Sequence, residues 1–168
     1  GPLRAAEQWT KVATEHATIL TPAGEGAARR WAVEFEQFRR GLQNIVPVPA
    51  ARLRPVTVVL FKNDRAMEPY LPLENGRPAK LGGYFVRAND LSAIMLSLAR
   101  DDAATRRVIF HEAVHWHLSA RDRALPLWLD EGLAEVCSTF AVRDARTYSF
   151  GDAIPEHVTL LRSEPLLP

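Results

Sequence analysis

The segment His111-Glu112-Ala113-Val114-His115 carries the clearest structural information in the chain. If it is helical, the two histidines lie one turn apart on one face, so both imidazoles can reach the same metal ion. Glu112 then projects about 100° round the helix, where its carboxylate can address a water on that ion without binding the ion. The apolar neighbours predict a buried helix, which accommodates these polar groups only when something satisfies them. A metal site is therefore favoured over an amphipathic helix with two histidines on its rim.

A second segment, Leu127-Trp128-Leu129-Asp130-Glu131-Gly132-Leu133-Ala134-Glu135, is also predicted to be helical. Glu131 would be the third ligand and solvent the fourth, and three protein ligands with one open position are typical of catalytic zinc. Glu135 lies on the same face and can accept a hydrogen bond from a ligand histidine, expected to be His111. The alternative is a solvated acidic stripe. Gly132, unfavourable within a helix, is expected to mark the close approach of another backbone.

Three motifs make the chain resemble the gluzincin family of zinc metallopeptidases. Residues 128–134 are similar to the Trp-Leu-Asn-Glu-Gly-Phe-Ala segment of aminopeptidase N-type enzymes, and Glu131 with Glu135 resembles the thermolysin pattern. The resemblance is closer to bacterial peptidase-like domains of unassigned function that are often fused to tetratricopeptide repeats. Their Gly-Gly-Tyr-Phe, His-Glu-x-x-His and Pro-x-Trp-Leu-x-Glu-Gly-Leu-Ala-Glu motifs are matched by residues 82–85, 111–115 and 126–135, within a similarity from Trp9 to Arg162.

The resemblance implies a zincin-like fold with one Zn²⁺ held by His111, His115 and Glu131, and with Glu112 as general base. Two departures from the family motifs limit the type of peptidase activity that the resemblance implies. Asp130 stands where aminopeptidases carry Asn, and no Gly-Ala-Met-Glu-Asn-type exopeptidase motif is present. Both departures favour internal cleavage of peptides over removal of terminal residues.

Hydrophobic periodicity predicts an α+β fold in which a small mixed β-sheet packs on an active-site helix and a second metal-ligand helix. Residues 25–44 form a predicted amphipathic helix whose aromatic stripe belongs in the core rather than at a cofactor: Ala28, Trp31, Phe35, Phe38 and Leu42. Strands are predicted at 16–21, 56–61, 83–87, 92–98 and near 148–150, and a last helix from Pro155. Residues 83–87 and 92–98 are expected to pair as a hairpin.

Length and composition predict a single globular domain, because 47% of the 168 residues are apolar and 24% are charged. A net charge of +1 gives no reason to expect nucleic acid, and no apolar run is long enough for membrane insertion. Residues 1–3, Gly-Pro-Leu, look like the scar of a cleaved tag. The domain is therefore assigned to residues 4–168, and we expect it to be cut from a longer protein that continues into helical repeats. Cys137, the single cysteine, is expected in the core. The cellular location stays open, with a periplasmic or secreted one slightly favoured.

These features predict a zinc-dependent metallopeptidase, an endopeptidase acting on a peptide or protein substrate. Zinc would lower the pKa of its water towards about 7, and Glu112 would take the proton as hydroxide attacks the carbonyl. Gly82, Gly83, Tyr84 and Phe85 are expected at the rim of the cleft, where an edge strand can bind an extended peptide. Two alternatives stay open: a zinc-binding scaffold or interaction domain with little turnover, and a zinc amidase acting on non-peptide or cell-wall amides.

Two further expectations concern the walls of the cleft. Tyr84 and Tyr148 are the preferred donors to the oxyanion, ahead of His157 and of His117, which is expected at the surface or behind the ligands. The cleft itself is expected to be shallow and open, with apolar surface exposed near the end of the chain at Leu160, Leu161, Leu166 and Leu167.

Overall fold

The computed structural model describes residues 7–88, 90–99, 102–144 and 147–163, which form both strands and helices. The strands are β1 (Thr10–Ala13), β2 (Ala17–Thr21), β3 (Val56–Phe61), β4 (Leu73–Glu74), β5 (Arg77–Pro78), β6 (Gly83–Arg87), β7 (Ser92–Ser97), β8 (Ala141–Val142) and β9 (Tyr148–Ser149). The α-helices are α1 (Glu25–Ile45), α2 (Asp64–Met67), α3 (Asp102–Leu118), α4 (Leu127–Ser138) and α5 (Pro155–Ser163). Ala50–Arg52 and Glu68–Tyr70 each form a 3-10 turn.

The main sheet has five strands in the order β1-β2-β3-β7-β6. β2, β3 and β7 run parallel, whereas β1 and β6 are antiparallel to their neighbours, so the sheet is mixed. The predicted α+β class, the mixed sheet and the hairpin of β6 with β7 are confirmed. The strand predicted near 148–150 is confirmed as β9, but its pairing with β8 was not predicted from the sequence, and neither were the β4-β5 sheet and β1.

The core lies between one face of the main sheet and the helices α1 and α3. Alternate strand residues such as Ile19, Val58 and Ile94 are buried because successive side chains of a strand point to opposite faces. The predicted aromatic stripe of α1 is buried throughout, and Phe38 stacks on Phe110 of α3 with ring centroids 4.4 Å apart. Burial of each such side chain contributes about 1.5–3 kcal/mol. This packing fixes α3 against the sheet.

Helix α3 is the central element for function, because it contacts β6 and β7 on one side and α4 on another. Its apolar residues Ile109, Phe110, Ala113 and Val114 are buried, as the sequence indicated. Of the two positions expected for His117, at the surface or behind the ligands, the surface position is excluded: the residue is fully buried, and its Nε2 lies 2.7 Å from the carbonyl oxygen of Val46. Buried residues of α3 therefore lie both before and after the histidine pair in the sequence, and they hold the helix in the core.

Two observations concern the ends and surfaces of the molecule. Leu160 and Leu161 of α5 are 57% and 62% exposed, as expected, while Leu166 and Leu167 lie outside the described residues. Across the described ranges, no helix combines the length and the apolar character that a bilayer span needs.

Candidate metal centre

His111 and His115 project from one face of α3 towards the same point. Their Nε2 atoms lie 3.1 Å apart, and both side chains are mostly buried, at 20% and 17% exposed. The one-turn spacing that the sequence predicted therefore brings the two ring nitrogens together. When both rings carry their proton on Nδ1, two Nε2 lone pairs face the same point and can share a cation.

Helix α4 adds a carboxylate to this pair. Glu131 Oε2 lies 3.4 Å from His111 Nε2 and 3.8 Å from His115 Nε2. The three atoms form a triangle close to one face of a zinc tetrahedron, whose edge is about 3.3 Å for ligand bonds of about 2.05 Å. No other group of three or more His, Cys, Asp or Glu with such geometry occurs in the described part of the chain. The residues present therefore fit one zinc ion.

Each histidine of this cluster has a carboxylate at its second ring nitrogen. Glu135 Oε1 lies 3.4 Å from His111 Nδ1, where the sequence predicted it, and Asp130 Oδ1 lies 3.4 Å from His115 Nδ1. Asp130 Oδ1 is buried and has no hydrogen-bond partner among the described residues. Such carboxylates hold metal-binding histidines in the tautomer whose Nε2 is free. Sequence reasoning missed this role of Asp130, although its position directly before Glu131 was the available signal.

Glu112 lies beside the cluster without being part of it. Its carboxylate accepts a hydrogen bond from the backbone N–H of Phe85 in β6. Burial raises the pKa of Glu112 above its ordinary value, and the electrostatic influence of the neighbouring His111 and His115 opposes that rise. A buried carboxylate with a raised pKa next to three converging ligands is suited to receive and release a proton.

Strand β6 forms the edge of the sheet next to this site. Gly82 accepts a hydrogen bond from Ser97 N–H at 3.4 Å, whereas the Phe85 N–H donates to Glu112 instead of to β7. Because backbone groups alternate in direction along an antiparallel strand, Gly83, Phe85 and Arg87 present their N–H and C=O groups to the open edge. The predicted edge strand beside the metal helix therefore exists.

Two hollows flank the metal cluster along this edge. The first, of about 430 Å³, lies at the Gly82 and Gly83 end and is lined by His111, Glu112 and Glu135 together with residues of α5. The second, of about 370 Å³, lies at the Phe85 end, and Glu112 and His115 contribute to it as well. Glu112 lines both hollows, so the cluster sits between them in one groove.

The two tyrosines predicted as oxyanion donors are not brought to the cluster. Tyr84 is directed towards Tyr70 and Met95, with its hydroxyl bonded to the Tyr70 carbonyl oxygen and 3.0 Å from Met95 Sδ. Tyr148 packs its ring on Phe140 with centroids 5.4 Å apart, at the edge of the core. Neither residue lines the hollows beside the metal cluster. We therefore withdraw Tyr84 and Tyr148 as catalytic candidates.

His157 is the remaining candidate that reaches the groove. It lies in the first turn of α5 and lines the larger hollow. Its Nδ1 atom is 3.8 Å from Glu135 Oε2. Glu135 thus stands between two histidines, His111 and His157. His157 is about half exposed, so its ring can reorient towards a bound molecule.

Two glycines near the site differ in the space around their Cα atoms. A Cβ on Gly83 would lie 2.5 Å from Val108 Cγ1 of α3, so the missing side chain serves the packing of β6 on the metal helix rather than the approach of a substrate. A Cβ on Gly132 would meet nothing within 4 Å. The expected close approach of another backbone at Gly132 is therefore wrong.

Comparisons of the chain with protein-family models and with curated proteins find no match. What can be inferred about function therefore comes from the groove and its side chains.

Proposed function

We propose that this protein is a zinc-dependent metallopeptidase with a zincin-like arrangement of sheet and helices, of the kind found in gluzincins. The observation that carries the proposal is the triangle of His111 Nε2, His115 Nε2 and Glu131 Oε2, with edges of 3.1, 3.4 and 3.8 Å. Three ligands leave a fourth position for solvent or substrate, which is the property that separates catalytic from structural zinc sites.

Zinc, when bound, supplies a Lewis acid that polarises a carbonyl group and lowers the pKa of water to about 7. Glu112 accepts a proton at its carboxylate and passes it to the nitrogen of the leaving amine. Its position beside the ligands supports this role, and burial raises the pKa of its carboxylate, which favours its taking up the proton.

The substrate in this proposal is a peptide that binds as an added strand along β6. The outward backbone groups of Gly83, Phe85 and Arg87 support it, since they can bond an extended chain without regard to its side chains. In the free protein the Phe85 N–H donates a hydrogen bond to the Glu112 carboxylate. A carbonyl oxygen of a bound peptide would accept that hydrogen bond instead and leave the carboxylate free. A hollow lies on each side of the cluster, so residues on both sides of a scissile bond can be accommodated, which favours internal cleavage.

His157 is the donor that we assign to the oxyanion in place of the two tyrosines. Its support is its position in the wall of the larger hollow, next to Glu135. Glu135 can accept a hydrogen bond from one ring nitrogen of His157 while the other ring nitrogen points into the groove. His157→Ala should lower kcat by about 10²-fold with little change in KM, as is usual for loss of one oxyanion donor.

The decisive experiment compares Glu112→Gln with wild-type protein, both loaded with zinc. The variant should keep its metal and its fold but lower peptide hydrolysis by about 10²–10⁴-fold, because an amide cannot accept the proton. Glu74→Gln is the matched control, since it makes the same change at an exposed strand residue. Screening peptides and non-peptide amides together separates a peptidase from an amidase. If the wild-type protein hydrolyses neither class of substrate, the peptidase proposal is wrong and the scaffold function remains.

A further inference from the structure

Arg107 is a charged residue of the larger hollow to which the hydrolytic chemistry gives no role. It lies one turn before His111 on α3 and lines the hollow with Gly82, Gly83 and Glu156. Its side chain is 37% exposed, so the guanidinium is partly withdrawn from water. A partly desolvated arginine facing a groove is a common means of binding an anionic group.

The acidic residues around the hollow leave the charge of Arg107 largely available. Glu156 is its ion-pair partner at 3.9 Å, but Glu156 is 68% exposed, and pairs of this kind contribute about 0–1 kcal/mol. The other two carboxylates of the wall have nearer partners. Glu112 accepts from the Phe85 N–H, and Glu135 faces His111 at 3.4 Å. Among the described carboxylates that line this hollow, Glu156 is therefore the one with which an incoming carboxylate would compete for Arg107.

The direction of β6 determines which part of a bound peptide reaches Arg107. Gly83 packs against Val108, Phe85 bonds Glu112, and Arg87 donates to the carbonyl oxygen of Ser119 at 2.8 Å. β6 and α3 thus run in the same direction past the metal cluster. A peptide paired antiparallel to β6, the slightly more stable pairing, runs the opposite way. Its residues after the scissile bond then enter the hollow that holds Arg107.

We propose that Arg107 forms a subsite for a carboxylate on the C-terminal side of the scissile bond, so that the protein selects substrates with an acidic residue or a chain end there. This inference rests on the proposed peptidase function and adds its substrate class. The planar guanidinium can hold a carboxylate through two parallel hydrogen bonds, which Lys cannot do. The hollow of about 430 Å³ accommodates one or two residues beyond the cleaved bond.

The test uses quenched peptides in matched pairs, cleaved by the zinc-loaded protein. One pair carries Glu or Gln directly after the scissile bond, and the other ends there in a dipeptide acid or its amide. We expect kcat/KM to be at least about tenfold higher for the carboxylate member of one pair, and the pair that responds identifies the source of the carboxylate. Arg107→Gln should abolish the difference, Arg107→Lys should keep part of it, and Glu156→Gln should enlarge it. Arg29→Gln, an exposed arginine of α1, should leave it unchanged.

A binding measurement separates this inference from the hydrolytic proposal. Calorimetry with zinc-loaded Glu112→Gln protein should detect tighter binding of Glu-Leu-amide than of Gln-Leu-amide, and Arg107→Gln added to that variant should remove the preference. If wild-type protein cleaves nothing but this preference is found, hydrolysis fails and the subsite stands. If wild type cleaves the acidic and neutral members of both pairs equally, or if the advantage survives Arg107→Gln, the subsite is wrong and hydrolysis stands.

Discussion

Glu135 Oε1 lies 3.4 Å from His111 Nδ1, on the side of the ring opposite to the nitrogen that faces His115. A proton on Nδ1, held by this carboxylate, leaves the Nε2 lone pair directed into the cluster. Glu135 follows Glu131 by one helical turn, so α4 supplies both a ligand and the group that orients another ligand. Asp130 repeats the relationship with His115 at 3.4 Å.

The first prediction concerns the metal. Purified protein should carry about one zinc per chain, and His115→Ala or Glu131→Ala should lose most of it, because each removes one of only three protein ligands. Glu135→Ala and Asp130→Ala should bind zinc about 10–100-fold more weakly but still stoichiometrically at saturation. Elemental analysis gives the content, and competition with a chromophoric chelator gives the affinity.

Glu25→Ala is the control for the carboxylate variants, since it removes an exposed glutamate of α1 that pairs only with Arg29 in the described structure. Its zinc affinity should equal that of wild type. Protein that takes up no zinc on reconstitution would contradict the metal centre outright. Equal losses on replacing Glu131 and Glu135 would contradict the separate roles assigned to them.

The second prediction compares two glycines that the sequence does not distinguish. Gly83→Ala should destabilise the protein by about 1–3 kcal/mol, because the new methyl group would collide with Val108 and force β6 away from α3. Gly132→Ala should stabilise it by about 0.5–1 kcal/mol, because alanine is the better helix former and the space is empty. Urea denaturation of the metal-free proteins measures both. Equal effects of the two substitutions would show that the contact with Val108 is not a constraint.

The parts of the site that lie on α3 and α4 could be predicted from the sequence, because helical spacing alone fixes which residues share a face. His111, His115, Glu131 and Glu135 all belong to this class. These four residues come together once the two helices pack on each other, and the apolar residues around them in the sequence indicated that packing. The same argument applies to Asp130, which directly precedes Glu131 on α4 and therefore lies close enough to reach the second histidine, His115.

The strand and loop residues could not be placed in this way. The side of the sheet to which Tyr84 points depends on the register of β6 with β7, and the register puts Tyr84 opposite Met95, away from α3. Tyr148 follows a loop whose path is set by packing of Phe140 and Phe150 in the core. Contacts between residues distant in sequence decide both positions, and short motifs do not encode them.

The third prediction concerns pH and His117. Burial lowers the pKa of His117 below its ordinary value of 6.5, despite the hydrogen bond to Val46, so the folded protein binds a proton there less readily than the unfolded chain. The stability contributed by this neutral histidine is therefore full above pH 6.5 and is lost as the pH falls below that value. Urea midpoints of metal-free protein should decline from about pH 6.5 downwards, with chelator present throughout.

His117→Gln separates this effect from the titration of the two ligand histidines. Glutamine can still donate to the Val46 carbonyl oxygen but does not ionise, so the decline below pH 6.5 should be shallower in the variant even if its stability at pH 8 is lower. His157→Gln is the surface comparison, at a histidine whose side chain is 53% exposed. Parallel pH profiles for wild type and His117→Gln would mean that His117 is not responsible.

The last prediction concerns the single cysteine. Cys137 is 1% exposed, and burial raises the pKa of its thiol to about 11, whereas a free cysteine has a pKa of about 8.5. Only the thiolate reacts with iodoacetamide, so at pH 8 the folded protein should react at least about a hundredfold more slowly than the same protein in urea. Mass spectrometry after timed labelling measures both rates, and Cys137→Ala shows any labelling elsewhere. Equal rates in the two states would mean that α4 opens readily, and the metal ligands of α4 would then be equally unprotected.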